Sequence, residues 1–552
     1  MRIIIVFILA VMFGQVHAQV DSTSNKQGEI LTGEVVVEKD KKITLPQVDK
    51  IFIRSTPPSF SSEAINVKFE ISEPDFKWPD YKSDVPFQFV DEPYPSAEYQ
   101  NYVKLGYGNF NSPLFEAGLF QTLGAWDSRA KLFYEQFKAG PVNEENSGNS
   151  LAGIDVSASH KKNGFSITPA VSFNQHKYHF YGNTNRVNTG FSDAEADEST
   201  FQNLYANVNV TWEKGDVELD FTPFMTSSIQ SINPSNDENG EVNIGANGQL
   251  SYKIGDAFTT GFEIDGQFAN YDGGLAYDRS LINLNPWVTH RKDNLSITAG
   301  FVVSSGKVDS ESETGFYPKA RVEYSLTEKW TAFGLVSGGL QWNGLKGLIS
   351  QNEFLDDSLA ITHTENTFSL GGGIKGSPLK NMLLEASLTH SGYKGLPFFI
   401  PSSTDSARFT LAYDTETVNM ISLNTNLSFM PTATSTYGAS LELNGYSVES
   451  LDKPWHKPTY IFKAYASHNI KEKLIVSAYL MSVGGIRAPA DVDFGYVKLS
   501  GFTDVSIGAK YLITSRASAF IDVNNLLNNE YERYLGYPIR GLAFKIGGQY
   551  RF

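Results

Sequence analysis

The chain has 552 residues, of which 13% are aromatic and 19% are charged, and its formal net charge is −16. This acidic balance disfavours binding to nucleic acid through bulk charge, and the absence of cysteine excludes thiol catalysis, thiolate zinc sites and disulfides. Many aromatics, few charges and a mean hydropathy of −0.25 are typical of strands with one apolar face and one polar face.

Residues 1–18 have the pattern of a secretory signal peptide. Arg2 gives a positive start, residues 3–13 form an apolar core, and residues 16–18 form a small-residue cleavage site before Gln19. The alternative is a membrane anchor, although the apolar run is short for a spanning helix. No later apolar run approaches the length of a membrane-spanning helix. We therefore expect an exported protein without a membrane-spanning helix.

Residues 19–98 form a proline-rich and aromatic-rich segment. Proline removes backbone donors and favours extended chain, so these residues predict neither a helix nor a central strand. We expect an extended periplasmic segment that lies along a partner or inside the mouth of a barrel; the alternative is a disordered linker. Its prolines are Pro57, Pro58, Pro74, Pro79, Pro86, Pro93 and Pro95, and its aromatics include Phe76, Trp78, Tyr81, Phe87, Phe89 and Tyr94.

From residue 99 to residue 552 the side chains alternate between apolar and polar, which is the period of a β-strand. The run 318–326 shows the alternation well. We predict that Ala320, Val322, Tyr324 and Leu326 face lipid, while Lys319, Arg321 and Glu323 face a lumen.

The connections between these runs alternate between tight turns and longer polar loops, as in a transmembrane barrel. We predict an all-β fold, a transmembrane antiparallel up-and-down β-barrel of about 22 strands of roughly ten residues each, over residues 99–552. Soluble sandwiches or a propeller are the alternatives, but no fixed repeat period supports them. The predicted long loops lie near 139–149, 180–199, 231–240, 271–278, 306–315, 343–360, 395–406, 447–456, 485–497 and 526–539.

No catalytic constellation stands out in the sequence. Ser159 precedes His160, and His390 precedes Ser391, but adjacent strand residues point to opposite faces and form no local nucleophile–base pair. An esterase or protease site built from distant residues stays an alternative. We expect no enzyme activity and no cofactor.

Two groups of residues contain side chains that can bind metal ions. His176 and His179 are three residues apart on a predicted strand, so they should face opposite sides and lie at the rim as polar aromatics. An acidic group in the 180–199 loop has no calcium-loop spacing, and we interpret it as solvated rather than as a Ca²⁺ site. This group is Asp193, Glu195, Asp197 and Glu198. We expect no metal.

Two stretches at the end of the chain carry a family resemblance. Residues 519–531 (AFIDVNNLLNNEY) resemble the penultimate strand of TonB-dependent receptor barrels, and residues 537–552 resemble their closing strand with its terminal Phe. The resemblance covers roughly residues 99–552. It implies that Tyr550 and Phe552 belong to the closing strand and to the assembly signal that the outer-membrane insertion machinery reads.

The chain departs from this family before the barrel. Family members carry a plug domain that fills the lumen, whereas residues 19–98 lack a plug-like pattern, so we expect no plug and carry over no substrate site. The run Glu34, Val35, Val36, Val37 and Glu38 is weakly similar to the box that engages TonB; an ordinary edge strand is the preferred interpretation.

The sequence thus predicts an outer-membrane protein of a Gram-negative bacterium, in contact with membrane lipid and lipopolysaccharide. Side chains cannot fill so wide a lumen, so inward loops, residues 19–98 or a partner should occlude it. Two functions follow. One is transport of a solute across the outer membrane, with TonB as a candidate partner. The alternative is a plugless structural subunit of an outer-membrane complex, with the N-terminal segment as its periplasmic contact.

Overall fold

The computed structural model describes residues 101–183, 196–235, 237–490 and 495–552. The predicted signal peptide, residues 19–98 and the run Glu34–Glu38 lie outside the described residues.

The described chain forms one closed antiparallel sheet of 22 strands in which each strand pairs with the next along the chain. The strands are β1 (Tyr102–Gly108), β2 (Leu114–Leu123), β3 (Trp126–Phe137), β4 (Asn149–Lys162), β5 (Phe165–His179), β6 (Glu198–Lys214), β7 (Val217–Asn233), β8 (Asp237–Ile254), β9 (Phe258–Asp272), β10 (Ala276–Lys292), β11 (Leu295–Val308), β12 (Glu311–Thr327), β13 (Trp330–Gln341), β14 (Thr364–Gly376), β15 (Met382–Lys394), β18 (Val418–Thr432), β19 (Ser435–Ser447), β20 (Tyr460–Ile470), β21 (Leu474–Gly484), β24 (Phe502–Leu512), β25 (Ala517–Asn524) and β28 (Ala543–Arg551).

The first and last strands close the barrel. Tyr102 of β1 pairs with Arg551 of β28, and the register continues to Gly108 opposite Lys545. Closure leaves no free sheet edge, so every strand has two hydrogen-bonded neighbours. The predicted fold and strand number are confirmed.

The two ends of the barrel differ. The first and last described residues of the chain lie together at the end of the barrel that has tight turns, where the Phe552 N–H donates to the Asn101 carbonyl at 2.9 Å. The opposite end, here called the loop end, carries the longer connections. These contain the short pairs β16 (Phe398–Pro401) with β17 (Phe409–Ala412), β22 (Arg487–Pro489) with β23 (Tyr496–Lys498), and β26 (Glu532–Tyr534) with β27 (Tyr537–Pro538), and the helix α1 (Leu345–Gln351). In the described residues no helix is long and apolar enough to span a membrane.

The outer face of the barrel carries an apolar band. On β12, Val322 and Leu326 are 42% and 55% exposed, whereas the inward Arg321 ion-pairs with Glu323 at 2.9 Å. The predicted register of this strand is therefore confirmed. A ring of exposed aromatics near the turn end marks a membrane interface; its members include Trp126, Phe165, Trp212, Tyr252, Phe258, Tyr324, Tyr511 and Tyr550.

Three predicted long loops are wrong. The connections near 231–240, 271–278 and 306–315 are tight, because β7 to β12 extend through most of those residues. Strands β6 to β12 have 14–18 residues, against the expected ten. Above the apolar band both faces of a strand are in contact with water. Polar residues there continue the strand and its hydrogen-bond ladder, although the sequence pattern predicted loops at these positions.

Phe552 supplies a prediction on assembly. Its ring is 49% exposed at the turn end of the barrel, beside β1 and β25. Deletion of Phe552, or Phe552→Asp, should lower the amount of heat-modifiable folded barrel in outer-membrane fractions, whereas Phe552→Tyr should preserve it because an interfacial aromatic remains. Wild-type levels of folded protein in the deletion would contradict the assembly role.

Candidate functional site

The loop end is covered by a layer of inward-folded loops. We define the cap as residues 342–363, 395–417, 448–459 and 525–542. The first of these loops leaves β13, yet its Glu353 contacts His176 of β5 at 3.4 Å, and the Leu359 carbonyl accepts from Tyr277 of β10 at 2.8 Å. Since β5 lies eight strands from β13 around the ring, the loop crosses the mouth of the barrel.

The cap has an apolar core that it shares with side chains of the barrel wall, among them Tyr178 and Tyr271. The rings of Phe354 and Tyr537 stack with centroids 3.5 Å apart, and Phe409 packs against Tyr537 at 6.0 Å. These three residues come from three different loops. Burying each large side chain contributes about 1.5–3 kcal/mol. The cap is therefore a packed layer held together by contacts between loops.

Arg408 fastens this layer to the far wall. Its guanidinium lies 2.9 Å from Asp197, which precedes β6, 3.0 Å from Asp237 of β8 and 3.5 Å from Asp356 of the first cap loop. A fourth carboxylate, from Asp405, lies at 3.0 Å. The Arg408 side chain is 7% exposed, so its charge depends on these carboxylates for compensation.

A second buried ion pair anchors the start of the first cap loop. Arg279 of β10 pairs with Glu241 of β8 and donates to the Asn343 carbonyl at 2.6 Å. Glu241 also accepts from the Leu345 N–H at 3.3 Å, at the start of α1. The Arg279 guanidinium lies 4.4 Å from the Trp342 ring. Strand residues thereby hold the loop at the point where it turns inward.

A histidine joins three of the cap loops. His456 Nδ1 contacts the Phe399 carbonyl at 2.8 Å, and His456 Nε2 accepts from the Leu535 N–H at 3.4 Å. This pairing requires a neutral imidazole with its proton on Nδ1. Burial lowers the pKa of His456 to about 4, so the ring keeps this form at neutral pH.

Asp357 makes the cap sensitive to pH. Burial and the neighbouring Asp356 carboxylate raise the pKa of Asp357 to about 6. Between about pH 4 and pH 6 this carboxyl is already ionised in the unfolded chain but still protonated in the folded chain. The free energy of unfolding therefore falls as the pH rises through this window. Hydrogen bonds from the Ser402 hydroxyl and the Asp357 N–H, together with the charge of Arg408, lower the pKa of Asp356, so that carboxylate stays ionised in this window.

We therefore expect the cap to be more stable at pH 5 than at pH 7.5. Protease cleavage within residues 342–363 should be slower at pH 5, with a protease active at both values. Asp357→Asn should remove the difference, because no proton then binds at this position. A difference that persists in Asp357→Asn would assign the effect to another group.

Below the cap, the inward side chains form a polar lumen. Glu263 and Lys131 point inward, yet their side chains are 37% and 47% exposed, so solvent reaches them. The wall of β1–β3 and β28 is charged: Lys131 lies 3.5 Å from Glu116, and Lys545 pairs with Glu135. This arrangement suits a water-filled passage more than a packed core.

The paired Ser and His residues of the sequence do not form sites. Ser159 accepts from Thr168 on the inner face at 3.1 Å, while His160 contacts Trp126 on the outer face, with ring centroids 5.2 Å apart. Ser391 bonds with the buried Ser369 at 2.7 Å, whereas His390 contacts Phe368. The prediction that each pair lies on opposite faces is confirmed.

The candidate metal residues are also separated. His176 points inward to Glu353, whereas the His179 Nδ1 contacts the Gly148 carbonyl at 2.9 Å. Of the acidic loop, Asp197 binds Arg408 and Glu198 binds Lys177 at 3.0 Å. Asp193 and Glu195 lie outside the described residues.

Sequence reasoning missed the residues that hold the cap. In the sequence Arg408, Arg279 and His456 belong to no motif, and their partners are distant in the chain. One signal existed: few charges occur in the chain, so Arg408, directly before Phe409, was a candidate for a buried ion pair.

No protein-family model and no curated protein matches the chain. Solved structures match its fold. The FrpB iron transporter from Neisseria meningitidis (F3-3 variant) has a TM-score of 0.65 at 12% identity, over 82% of this chain and 81% of that chain. The ferric-catecholate import receptor Fiu from E. coli K12 has a TM-score of 0.62 at 11% identity, over 82% and 81%. The ferripyoverdine receptor of the outer membrane of Pseudomonas aeruginosa has a TM-score of 0.59 at 13% identity, over 83% and 72%.

At these identities the likeness establishes the fold alone. The chain has the 22-stranded barrel fold of these receptors, and the predicted resemblance to TonB-dependent receptor barrels is confirmed at that level.

Proposed function

We propose that this chain is an outer-membrane protein that passes a solute through its lumen, and that the cap is the gate. Tight turns of such barrels face the periplasm, so the loop end is extracellular. Neighbours in fold are described as iron or copper transporters, which supports transport. The observation that carries the proposal is a packed cap, fastened by Arg408, above a solvated polar lumen.

The cap is built so that it can open. Its core is joined to the wall by ion pairs, hydrogen bonds and apolar contacts with a few strand residues such as Tyr178 and Tyr271, whereas each barrel strand is held by two hydrogen-bonded ladders along its length. Local opening of the loops therefore costs less free energy than opening of the barrel. This difference lets the loops move while the wall stays intact.

Solute flux into proteoliposomes tests the proposal. A variant in which residues 345–359 are replaced by a short Gly-Ser linker should admit small solutes faster than wild type, because the loop that crosses the mouth is gone. The matched control replaces residues 138–147, a loop outside the cap. A variant that stays closed to solutes and retains a stoichiometric protein partner would favour the structural-subunit function instead.

The N-terminal segment supplies a separate prediction. Its aromatics are numerous for a segment left in water, and its prolines disfavour an independent fold. We expect residues 57–97 to dock against the lumen wall or a partner, and to be protected from protease in intact outer membranes. Deletion of 57–97 should leave barrel folding intact and change either conductance or the co-purifying proteins; deletion of 22–33 is the control. Free cleavage in membranes together with an unchanged deletion variant would contradict docking.

A further inference from the structure

The inner wall of β6–β10 differs from the charged wall. Three successive inward rows cross these five strands, and we call them the amide wall. The middle row, for example, places Thr222 beside Asn247, Asn247 beside Asp265, and Asp265 beside Asn283. The inward amides of the wall are Asn207, Asn209, Asn247, Gln249, Gln267, Asn283 and Asn285, and its carboxylates are Asp220, Glu263 and Asp265.

The amide wall faces accessible space. Asn247 and Gln249 point inward and are nevertheless exposed. Strands β6–β10 contribute no lysine or arginine to these three rows; one ammonium, from Lys319 of β12, reaches Glu263 at 3.1 Å. Three carboxylates and one ammonium leave this wall with a net negative charge, which disfavours an anionic ligand.

Part of the hydrogen-bonding capacity of this wall is unused. Asn285 donates to Glu263 at 2.5 Å, and Asn243, just above the rows, donates to Gln267 at 3.0 Å. The carbonyl oxygens of both asparagines have no partner in the described structure, although the residues are 4% and 6% exposed. Buried amide groups normally have partners, so these atoms indicate a place for a ligand hydroxyl or an ordered water.

A flat aromatic surface adjoins the amides. Trp287 lies one row below Asn285 on β10, and its ring leaves no room for a Cβ atom at Gly261 of β9. The indole therefore packs directly on the glycine backbone. Its Nε1–H also has no partner in the described structure. An aromatic face beside a polar donor suits a ligand with one apolar face and several hydroxyls.

We propose that the amide wall binds a neutral, polyhydroxylated solute, of the chemical class of an oligosaccharide. Hydroxyl groups both donate and accept, and carboxamides offer a donor and an acceptor side by side. Carboxylates add strong acceptors, and the indole accepts the C–H face of a sugar ring. This inference rests on the proposed function, since it names the solute class that the gated lumen would pass.

The test is binding of maltohexaose to the purified full-length barrel, measured by calorimetry in detergent, with a galacturonate hexamer as the anionic probe. Binding needs no passage, so its result is independent of flux. We expect maltohexaose to bind and the anionic probe to bind at least about tenfold more weakly. Asn247→Leu and Trp287→Ala should each lower the affinity for maltohexaose about tenfold, the equivalent of roughly 1.4 kcal/mol.

The matched control is Asn426→Leu, an exposed inward amide on β18 outside the amide wall, which should leave the affinity unchanged. All variants are first compared by heat-modifiability, so that a misfolded barrel is recognised. Absence of maltohexaose binding, equal affinity in all variants, or preference for the anionic probe would overturn the inference. If the barrel passes solutes but does not bind maltohexaose, only this inference is contradicted. If it binds maltohexaose but shows no solute flux, only the proposed function is contradicted.

Discussion

Arg408→Gln should open the cap. The substitution keeps a polar side chain of similar length but removes the positive charge among Asp197, Asp237 and Asp356, which are then left to repel one another. Breaking a buried ion pair costs about 3–5 kcal/mol, and we expect about 3 kcal/mol because Asp197 and Asp237 remain about one-third exposed. That value raises the open-to-closed ratio roughly 150-fold.

Single-channel conductance and protease cleavage of residues 342–363 measure this effect. The matched control is Lys394→Gln, which removes a cation 3.6 Å from Glu365 at a site where the lysine is 57% exposed. Such a surface pair is worth about 0–1 kcal/mol, so the control should behave as wild type. Open events as rare in Arg408→Gln as in Lys394→Gln would show that Arg408 does not hold the cap.

Val322→Arg should destabilise the barrel by about 2–4 kcal/mol, because it places a charge in the middle of the lipid-facing band. Val322 lies close to the midpoint between Phe316 and Leu326, the exposed apolar residues that bound this band on β12. The free energy of unfolding, measured by refolding titration in lipid, reports the cost.

Arg321→Val is the matched control on the adjacent residue. Arg321 faces the lumen and bonds with Glu323 at 2.9 Å, but Lys375 also donates to Glu323 at 2.9 Å. The carboxylate therefore stays paired, and the cost should be about 1 kcal/mol or less. Equal costs for the two substitutions would contradict the assigned faces of β12.

The strands could be predicted from the sequence where contact with lipid requires apolar and polar side chains to alternate along each strand. Val322 and Arg321 could be assigned to opposite faces because one face of each strand must be apolar within the membrane. The prediction failed near 231–240, 271–278 and 306–315, where the same strands continue above the apolar band. There both faces are hydrated, so the alternation that identifies a strand disappears.

The cap could not be predicted from the sequence for a different reason. Asp237 and Asp197 are 171 and 211 residues from Arg408 along the chain, and no local pattern brings them together. Inward-folded loops were one of three ways foreseen to occlude the lumen. Which loops do so depends on closure of the barrel, because closure places β6 and β8 opposite the loop that carries Arg408.

A reversible disulfide between the cap and the barrel wall tests whether the cap gates the lumen. Gly274, between β9 and β10, faces Ser358 of the first cap loop, and an ideal Cβ at Gly274 would lie 2.8 Å from the Ser358 Cβ. A disulfide spans about 3.8 Å between Cβ atoms, so Gly274→Cys with Ser358→Cys requires a shift of about 1 Å. The chain has no cysteine of its own, so this pair is the only thiol pair present.

The measurement is solute flux through this double-cysteine barrel in liposomes, with Arg408→Gln included to favour opening. We expect low flux in the oxidised protein and an increase of about tenfold or more after reduction, since roughly 1.4 kcal/mol of cap stabilisation suffices for that change. Equal flux in the oxidised and reduced states would contradict the claim that the cap gates the lumen.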